Sequence, residues 1–385
     1  MGSCCAKVCG CLFGSKNTSN TNRVLLESLI NSKSSTNSTN PDNNLWTSSV
    51  NFGDFEILML LGKGTFGRVV LARMKKNKKL YALKILIKAK IQKTRQIEHT
   101  KTERLMLEKN NHPFIVKLKY AFQSHEELCF VTDYMQGGEL FYHLRKNKFF
   151  TEENALFYIS ETVLAIEYLH KNNCIYRDLK PENILLDKNG HIRLADFGLS
   201  KILNTTDCEF EDENIAYTMC GSPGYLAPEI LIGRGYTKDV DWWSLGCILF
   251  VMLNGYPPFR PKKDSKKLNI QLYEQPIVLK EDISKDAKSL ILGLLSIDPY
   301  KRLGAGKNDA DSIKSHVFFK GINWNDVYDM KLSPPIVPRI ASDEDPSNFD
   351  KLFTDQNPNK SSREKYSSEE FQDFQGFTYN KSTSY

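Results

Sequence analysis

The 385-residue sequence has no apolar run that reaches the roughly 20 residues a membrane-spanning helix needs. The nearest approach, Trp242 to Leu253, is interrupted by Ser244 and Gly246 and reads as a buried helix. An excess of one charge is lacking too: 52 Lys and Arg stand against 46 Asp and Glu. The resulting net charge of +6 is too small and too evenly spread to suit nucleic acid as a ligand. Cysteine offers neither a disulfide framework nor metal-ligand spacing. Four of the nine (Cys4, Cys5, Cys9, Cys11) crowd the first eleven residues, while Cys129, Cys174, Cys208, Cys220 and Cys247 are scattered. That usage points to a reducing, cytoplasmic setting. Internal repeats are absent.

What is present divides the chain. Hydrophobic residues at 41% and charged residues at 25% fit a globular protein. Residues 1–13 form a Cys-rich tip. Residues 14–54 are dominated by Asn, Ser and Thr and cannot bury enough surface to offset their ordering entropy, so they read as a disordered linker. Strand patterns follow at Phe55–Leu61, Val69–Met74 and Leu80–Leu86, the last two separated by the polar turn Lys75-Lys76-Asn77-Lys78-Lys79. Helical patterns then take over: one over Ile91–Lys109, one starting at Thr151, and one over Asp239–Asn254 that is apolar on all sides. Strands first and helices later predict an α+β arrangement in two lobes, over 55–319. Residues 320–385 return to Pro, Ser, Asp and Asn and read as an extended tail.

Gly62-Lys-Gly64-Thr-Phe-Gly67 matches G-x-G-x-x-G, a weak signal by itself. A dinucleotide fold requires a helix directly after such glycines, and here a strand-like run, Arg68 to Met74, follows. The other phosphate loop, G-x-x-x-x-G-K-S/T, fails because Arg68 and Val69 come after Gly67. The glycines therefore sit in a β-hairpin turn, the arrangement that lies over ATP phosphates in protein kinases.

From here the residues resemble the protein kinase family over Phe55 to Phe319. Tyr81-Ala-Leu-Lys84 is similar to the family's third-strand motif. Tyr176-Arg-Asp178-Leu-Lys180-Pro-Glu-Asn183 is similar to its catalytic segment, and Asp196-Phe-Gly198, Ala227-Pro-Glu229 and Asp241-Trp-Trp-Ser-Leu-Gly246 complete the series in order. The resemblance implies a small antiparallel β-rich N-lobe and a large helical C-lobe. It implies ATP binding by Leu61, Gly62, Lys63, Gly64, Thr65, Phe66, Gly67, Arg68 and Val69, together with Ala82, Lys84, Glu103, Thr132, Asp133, Met135 and Glu139. Lys84 would hold phosphates and pair with Glu103, and Thr132 would be the gatekeeper. Asp178 would accept the substrate hydroxyl's proton, Lys180 would neutralise the moving phosphoryl group, and Asn183 and Asp196 would bind Mg2+. Lys180, two residues after the aspartate, implies a serine/threonine acceptor.

Tyr176, where most kinases carry His, resembles the group of protein kinases A, B, C and G. Asn348-Phe-Asp350 looks like that group's adenine-pocket segment, and Phe371, Phe374 and Phe377 look like its hydrophobic motif. The resemblance implies phosphorylation of Thr378 in that motif and of Thr218 in the activation loop. Arg177 and His99 would meet the Thr218 phosphate. An upstream activating kinase of the phosphoinositide-dependent type is implied, as are protein substrates with arginine upstream of the acceptor, bound by Glu139 and Glu182. Departures from the pattern are an acidic insert at 209–213, Gly224 in place of the usual glutamate, Val251 in place of an acid, and no Ser/Thr-Pro site between Phe353 and Phe371. Met1-Gly2-Ser3-Cys4-Cys5-Ala6 resembles an acylation signal, with myristate on Gly2, palmitate on Cys4 or Cys5, and attachment to a membrane surface; Ala6 departs from the preferred Ser/Thr. The chain is expected to act as a monomer. A phosphotransfer-dead scaffold is disfavoured because Lys84, Asp178 and Asp196 are all retained.

Overall fold

The computed structural model describes residues 50–94, 96–203, 215–218, 220–222, 224–259, 273, 275–358, 374 and 376–380. The acylation positions Gly2, Cys4 and Cys5, the acidic insert at 209–213 and Phe371 lie outside the described residues.

The small lobe is built on one antiparallel sheet. Its strands are β1 (Phe55–Lys63), β2 (Gly67–Met74), β3 (Leu80–Ile87), β4 (Leu118–Gln123) and β5 (Glu127–Asp133), in the order β1-β2-β3-β5-β4. Alternation along β3 sorts its side chains: Tyr81, Leu83 and Ile85 join the apolar cluster of Phe55, Val70, Phe122 and Val131. Ala82 and Lys84 consequently face the other way. The fold takes in residues ahead of Phe55, since Asn51 and Asp54 form a capping box on a short 3-10 turn and Phe52 packs edge-on to Phe122 at 4.8 Å.

The helix expected over Ile91–Lys109 is two helices, α1 (Lys88–Lys93) and α2 (Ile97–Lys109). The break falls at Thr94. Its hydroxyl donates to the carbonyls of Lys90 at 2.8 Å and Ile91 at 3.2 Å, and its own backbone leaves the helical region.

The large lobe is formed around α4 (Glu152–Lys171) and α6 (Asp239–Asn254), after α3 (Leu140–Asn147). Thr151 starts α4 as predicted, its side chain accepting from the Asn154 amide. Every residue of α6 is buried, and Gly255 ends it with φ 82°, where a Cβ would meet the Lys148 carbonyl at 2.4 Å. Short strands β6 (Gly138–Glu139), β7 (Cys174–Ile175), β8 (Ile184–Leu186), β9 (Ile192–Leu194) and β10 (Lys201–Ile202) frame the cleft. Helices α5 (Pro228–Leu231), α7 (Lys285–Leu294) and α8 (Asp309–Lys314) complete the lobe. The tail is not simply extended: it contains α9 (Trp324–Tyr328), capped by Asn323, and α10 (Lys351–Thr354), capped by Asp350. It ends in β11 (Tyr379–Asn380), which pairs antiparallel with β4 as a sixth strand. Among the described residues no helix is long and apolar enough to cross a membrane.

Candidate active site

The hairpin between β1 and β2 is closed by the Gly64 amide donating to the Gly67 carbonyl at 3.0 Å. Gly67 is required by the fold itself, because a Cβ there would lie 1.8 Å from the Ile85 carbonyl oxygen. Beside Gly62 and Gly64 there is open space on the side a Cβ would occupy. Their bareness thus leaves room for something other than protein to approach the backbone.

Below this loop lie two adjoining cavities, of about 240 and 320 Å³. Leu61, Gly62, Ala82, Thr132, Asp133, Met135 and Glu139 line the first. Gly64, Thr65, Phe66, Gly67 and Arg68 line the second. Val69, Lys84, Glu103 and Asp196 border both. Lys63 borders neither: its ammonium is turned to Gln356 in the tail at 2.6 Å, so its side chain is not in the nucleotide loop's inner face as expected.

Lys84 is the hub. Its ammonium stands 2.6 Å from Glu103 and 2.8 Å from Asp196. Burial alone would push its pKa down, but Asp196 and Glu103 outweigh that and hold it above the ordinary lysine range. Lys84 in turn holds the Asp196 carboxyl below the usual carboxylate range. Asp196 adopts φ 59° and accepts from the Gly198 amide at 3.2 Å, which aims its carboxylate at the cleft.

Asp178 is held from three directions. Lys180 donates to its Oδ2 at 2.7 Å and Asn183 to the same oxygen at 3.0 Å, while Ser222 donates to Oδ1 at 2.8 Å. Lys180 also reaches Ser222 at 2.9 Å. Ser222 lies in Thr218-Met-Cys-Gly-Ser-Pro223, which resembles the activation-loop motif, but that resemblance points to Thr218 and gives Ser222 no role. Tyr176 packs edge-on to Phe197 at 5.2 Å and its hydroxyl donates to the Ala195 carbonyl, tying the two catalytic segments together. Asp196 and Asn183 are hard oxygen donors on one cavity wall. Among the described residues no group of three or more His, Cys, Asp or Glu is set to hold a metal alone. That donor set fits Mg2+ shared with phosphates rather than a protein-only cage.

Glu139 and Glu182 both border the first cavity, and burial together with Glu182 pushes the Glu139 carboxyl up. Phe349 of the tail joins the same wall and stacks on Tyr134 at 5.7 Å, as read from Asn348-Phe-Asp350. Phe130 and Leu185 are further lining residues that no sequence motif singles out.

Thr218 is exposed, and its carbonyl accepts from the Tyr236 hydroxyl at 2.7 Å. Arg177, expected to face a phosphate there, is buried and donates to the Leu199 and Ser200 carbonyls and the Tyr236 hydroxyl. It reaches Thr218 through Tyr236. His99 borders the second cavity, its pKa lowered by burial and by the Arg177 charge. Gly224 has φ 92°, a conformation that favours glycine over the glutamate expected there, and Val251 is buried in α6. Phe374 and Phe377 are fully buried: Phe377 meets Phe130 at 5.1 Å, and the Lys88 ammonium lies 5.7 Å from the Phe374 ring. Thr378 beside them is exposed.

Comparison with known proteins matches residues 55–319 to the family described as "Protein kinase domain" and residues 340–379 to "Protein kinase C terminal domain". The RAC family serine/threonine-protein kinase homolog of Dictyostelium discoideum is 44% identical over 334 residues, 86% of this chain and 72% of the relative. The RAC-beta serine/threonine-protein kinase of Homo sapiens is 46% identical over 307 residues, 80% of this chain and 62% of the relative. The RAC serine/threonine-protein kinase of Drosophila melanogaster is 46% identical over 310 residues, 79% and 49% of the two chains. The chain thus spans between about half and three quarters of these relatives' own lengths.

Proposed function

This chain belongs to the protein kinase family, in the group that joins the catalytic domain to a C-terminal extension, and from that premise we propose that it transfers the γ-phosphoryl group of ATP to serine or threonine in proteins. The observation that carries the reading is the convergence of Lys180, Asn183 and Ser222 on Asp178, across the cleft from the Lys84–Glu103–Asp196 cluster. In it Lys84 holds the nucleotide's phosphates, Asp178 accepts the acceptor hydroxyl's proton, and Lys180 faces the charge on the transferred group. Asn183 and Asp196 would hold Mg2+, which neutralises phosphate charge when bound. The adenine would rest against Ala82, Thr132, Met135 and Phe349, with backbone groups of Asp133 and Met135 as hydrogen-bond partners.

Glu139 and Glu182 favour arginine upstream of the acceptor, since the two carboxylates border one cavity and Glu182 disfavours charge on Glu139. Thr218 and Thr378 are phosphorylated to raise activity, Thr218 by an upstream kinase of the phosphoinositide-dependent type; both are exposed, the Thr218 carbonyl is bonded to the Tyr236 hydroxyl that Arg177 also reaches, and Thr378 adjoins β11, which pairs with β4. The Gly2, Cys4 and Cys5 pattern supports a membrane-attached fraction of a cytoplasmic protein.

The test is phosphoryl transfer from ATP with Mg2+ to an arginine-oriented peptide library, using the full chain and Asp196→Asn as reference. Transfer to serine or threonine peptides, enriched for upstream arginine and lost in the reference, is expected. A wild-type rate no higher than that of Asp196→Asn overturns the kinase reading, and transfer without arginine enrichment overturns the specificity alone.

A further inference from the structure

A buried cluster behind the catalytic loop has no part in phosphate or substrate binding. Its centre is His170, fully buried in the last turn of α4. The ring lies between two carboxylates: Nε2 is 3.0 Å from Asp241 on α6, and Nδ1 is 2.9 Å from Asp309 at the start of α8. A neutral imidazole has one N–H and can donate to one of them only, so this geometry calls for a proton on both nitrogens. Asp241 reaches the catalytic loop directly. Its Oδ2 accepts the Tyr176 amide and its Oδ1 the Arg177 amide, each at 2.8 Å. Arg177 needs such an anchor, because its backbone sits at φ 66°, immediately before Asp178. Asp309 is held with equal care. It accepts from the Trp242 indole at 2.6 Å and adopts φ 37°.

We propose that Asp309 and His170 act as a positioning pair for the catalytic loop: the doubly protonated ring clamps Asp241, and Asp241 fixes the amides that set Asp178. The assignment rests on the kinase reading above, because turnover reports where Asp178 sits. Asp241 and Asp309 favour charge on the His170 ring. Lys238, whose ammonium donates to the His170 carbonyl at 2.5 Å, opposes it, and the Cys174 thiol is buried beside Asp241. Burial also opposes the imidazolium, but the two carboxylates win and hold its pKa above the ordinary histidine range. With the folded value raised, the clamp is fully present below about 6.5, the free-histidine value, and is lost as pH rises through the folded value. Catalysis should therefore fail on the alkaline side.

The experiment uses the full chain and compares wild type, Asp309→Asn and His170→Gln, with Asp178→Asn as inactive reference. It reads kcat and the KM for ATP across pH, and the 15N signals of the His170 ring. Expected are an imidazolium signature at neutral pH in wild type, and in Asp309→Asn a kcat lower by on the order of tenfold. The alkaline limb of kcat should also move to lower pH, while the KM for ATP stays within about twofold because the Lys84 cluster is untouched. The side-chain carbonyl that Asp309→Asn introduces can still accept from Trp242, so this variant decides the matter even if His170→Gln does not fold. A wild-type pH profile and kcat in Asp309→Asn, or a neutral wild-type ring at neutral pH, overturns the pair. Wild-type turnover no faster than Asp178→Asn overturns the kinase reading instead, and the ring signals still decide the clamp.

Discussion

Lys84 shows how one side chain couples the two lobes. A lysine in an apolar strand is costly to bury unless its charge is met, and here one carboxylate comes from α2 and the other from the loop after β9. Lys84→Met keeps the bulk and removes the charge, leaving Glu103, only 3% exposed, without its partner. We expect turnover to fall by roughly 10²- to 10³-fold, measured as kcat/KM with a peptide acceptor, while circular dichroism stays native. A variant within a few-fold of wild type would show that the cluster is only structural. Ser222 makes the contrasting case. Its hydroxyl joins Asp178 to Lys180 across 44 and 42 positions of sequence, so the activation-loop motif that contains it does not reveal the contact. Ser222→Ala is expected to lower kcat by about ten- to a hundredfold, with recovery in Ser222→Thr, which restores the hydroxyl. Lys84, Asp178 and Asp196 are legible in the sequence because each sits in a short motif. Ser222 and Asp309 are not, because each acts through a contact made only by the folded chain.

Among the elements, those whose cause is local are the ones the sequence reveals. Thr151 followed by two glutamates starts α4 as the capping rule requires, and the pattern of α6, with apolar residues on all sides, matches its complete burial. The break between α1 and α2 is hidden because helix propensity over Ile91–Lys109 is high throughout. The chain turns at Thr94, whose backbone leaves the helical region, and the Lys90 and Ile91 carbonyls there accept its hydroxyl as well as the Thr94 and Gln96 amides. Thr151→Ala removes the hydrogen bond to the Asn154 amide and should cost about 1 kcal/mol. That lowers the melting temperature by roughly 2 °C, read by differential scanning fluorimetry, without changing the KM for ATP. An unchanged melting temperature would mean that water or Glu153 replaces the cap at no cost.

At the scale of the whole molecule, the tail is part of the catalytic cleft. Phe349 completes one cavity wall, Gln356 holds Lys63, and β11 adds a strand to the small-lobe sheet. The link of most consequence runs through a single ring. Phe130 on β5 borders the nucleotide cavity, lies 5.9 Å from the Lys84 ammonium, and packs against Phe377 of the tail at 5.1 Å. Removing Phe377 would uncover one face of Phe130 and free it to shift toward the cavity that ATP needs. Two sites that bias one element must affect each other reciprocally. The Phe377→Ala chain is therefore expected to show a KM for ATP raised by about five- to tenfold, in the usual range of coupling energies. Conversely, saturating ATP should protect the Tyr379 and Asn380 amides, which lie in the strand paired to β4, from hydrogen exchange. A Phe377→Ala enzyme with unaltered KM, together with exchange at Tyr379 that ignores ATP, would separate tail docking from the nucleotide site. The tail would then serve only to cover the apolar surface between α2 and β4.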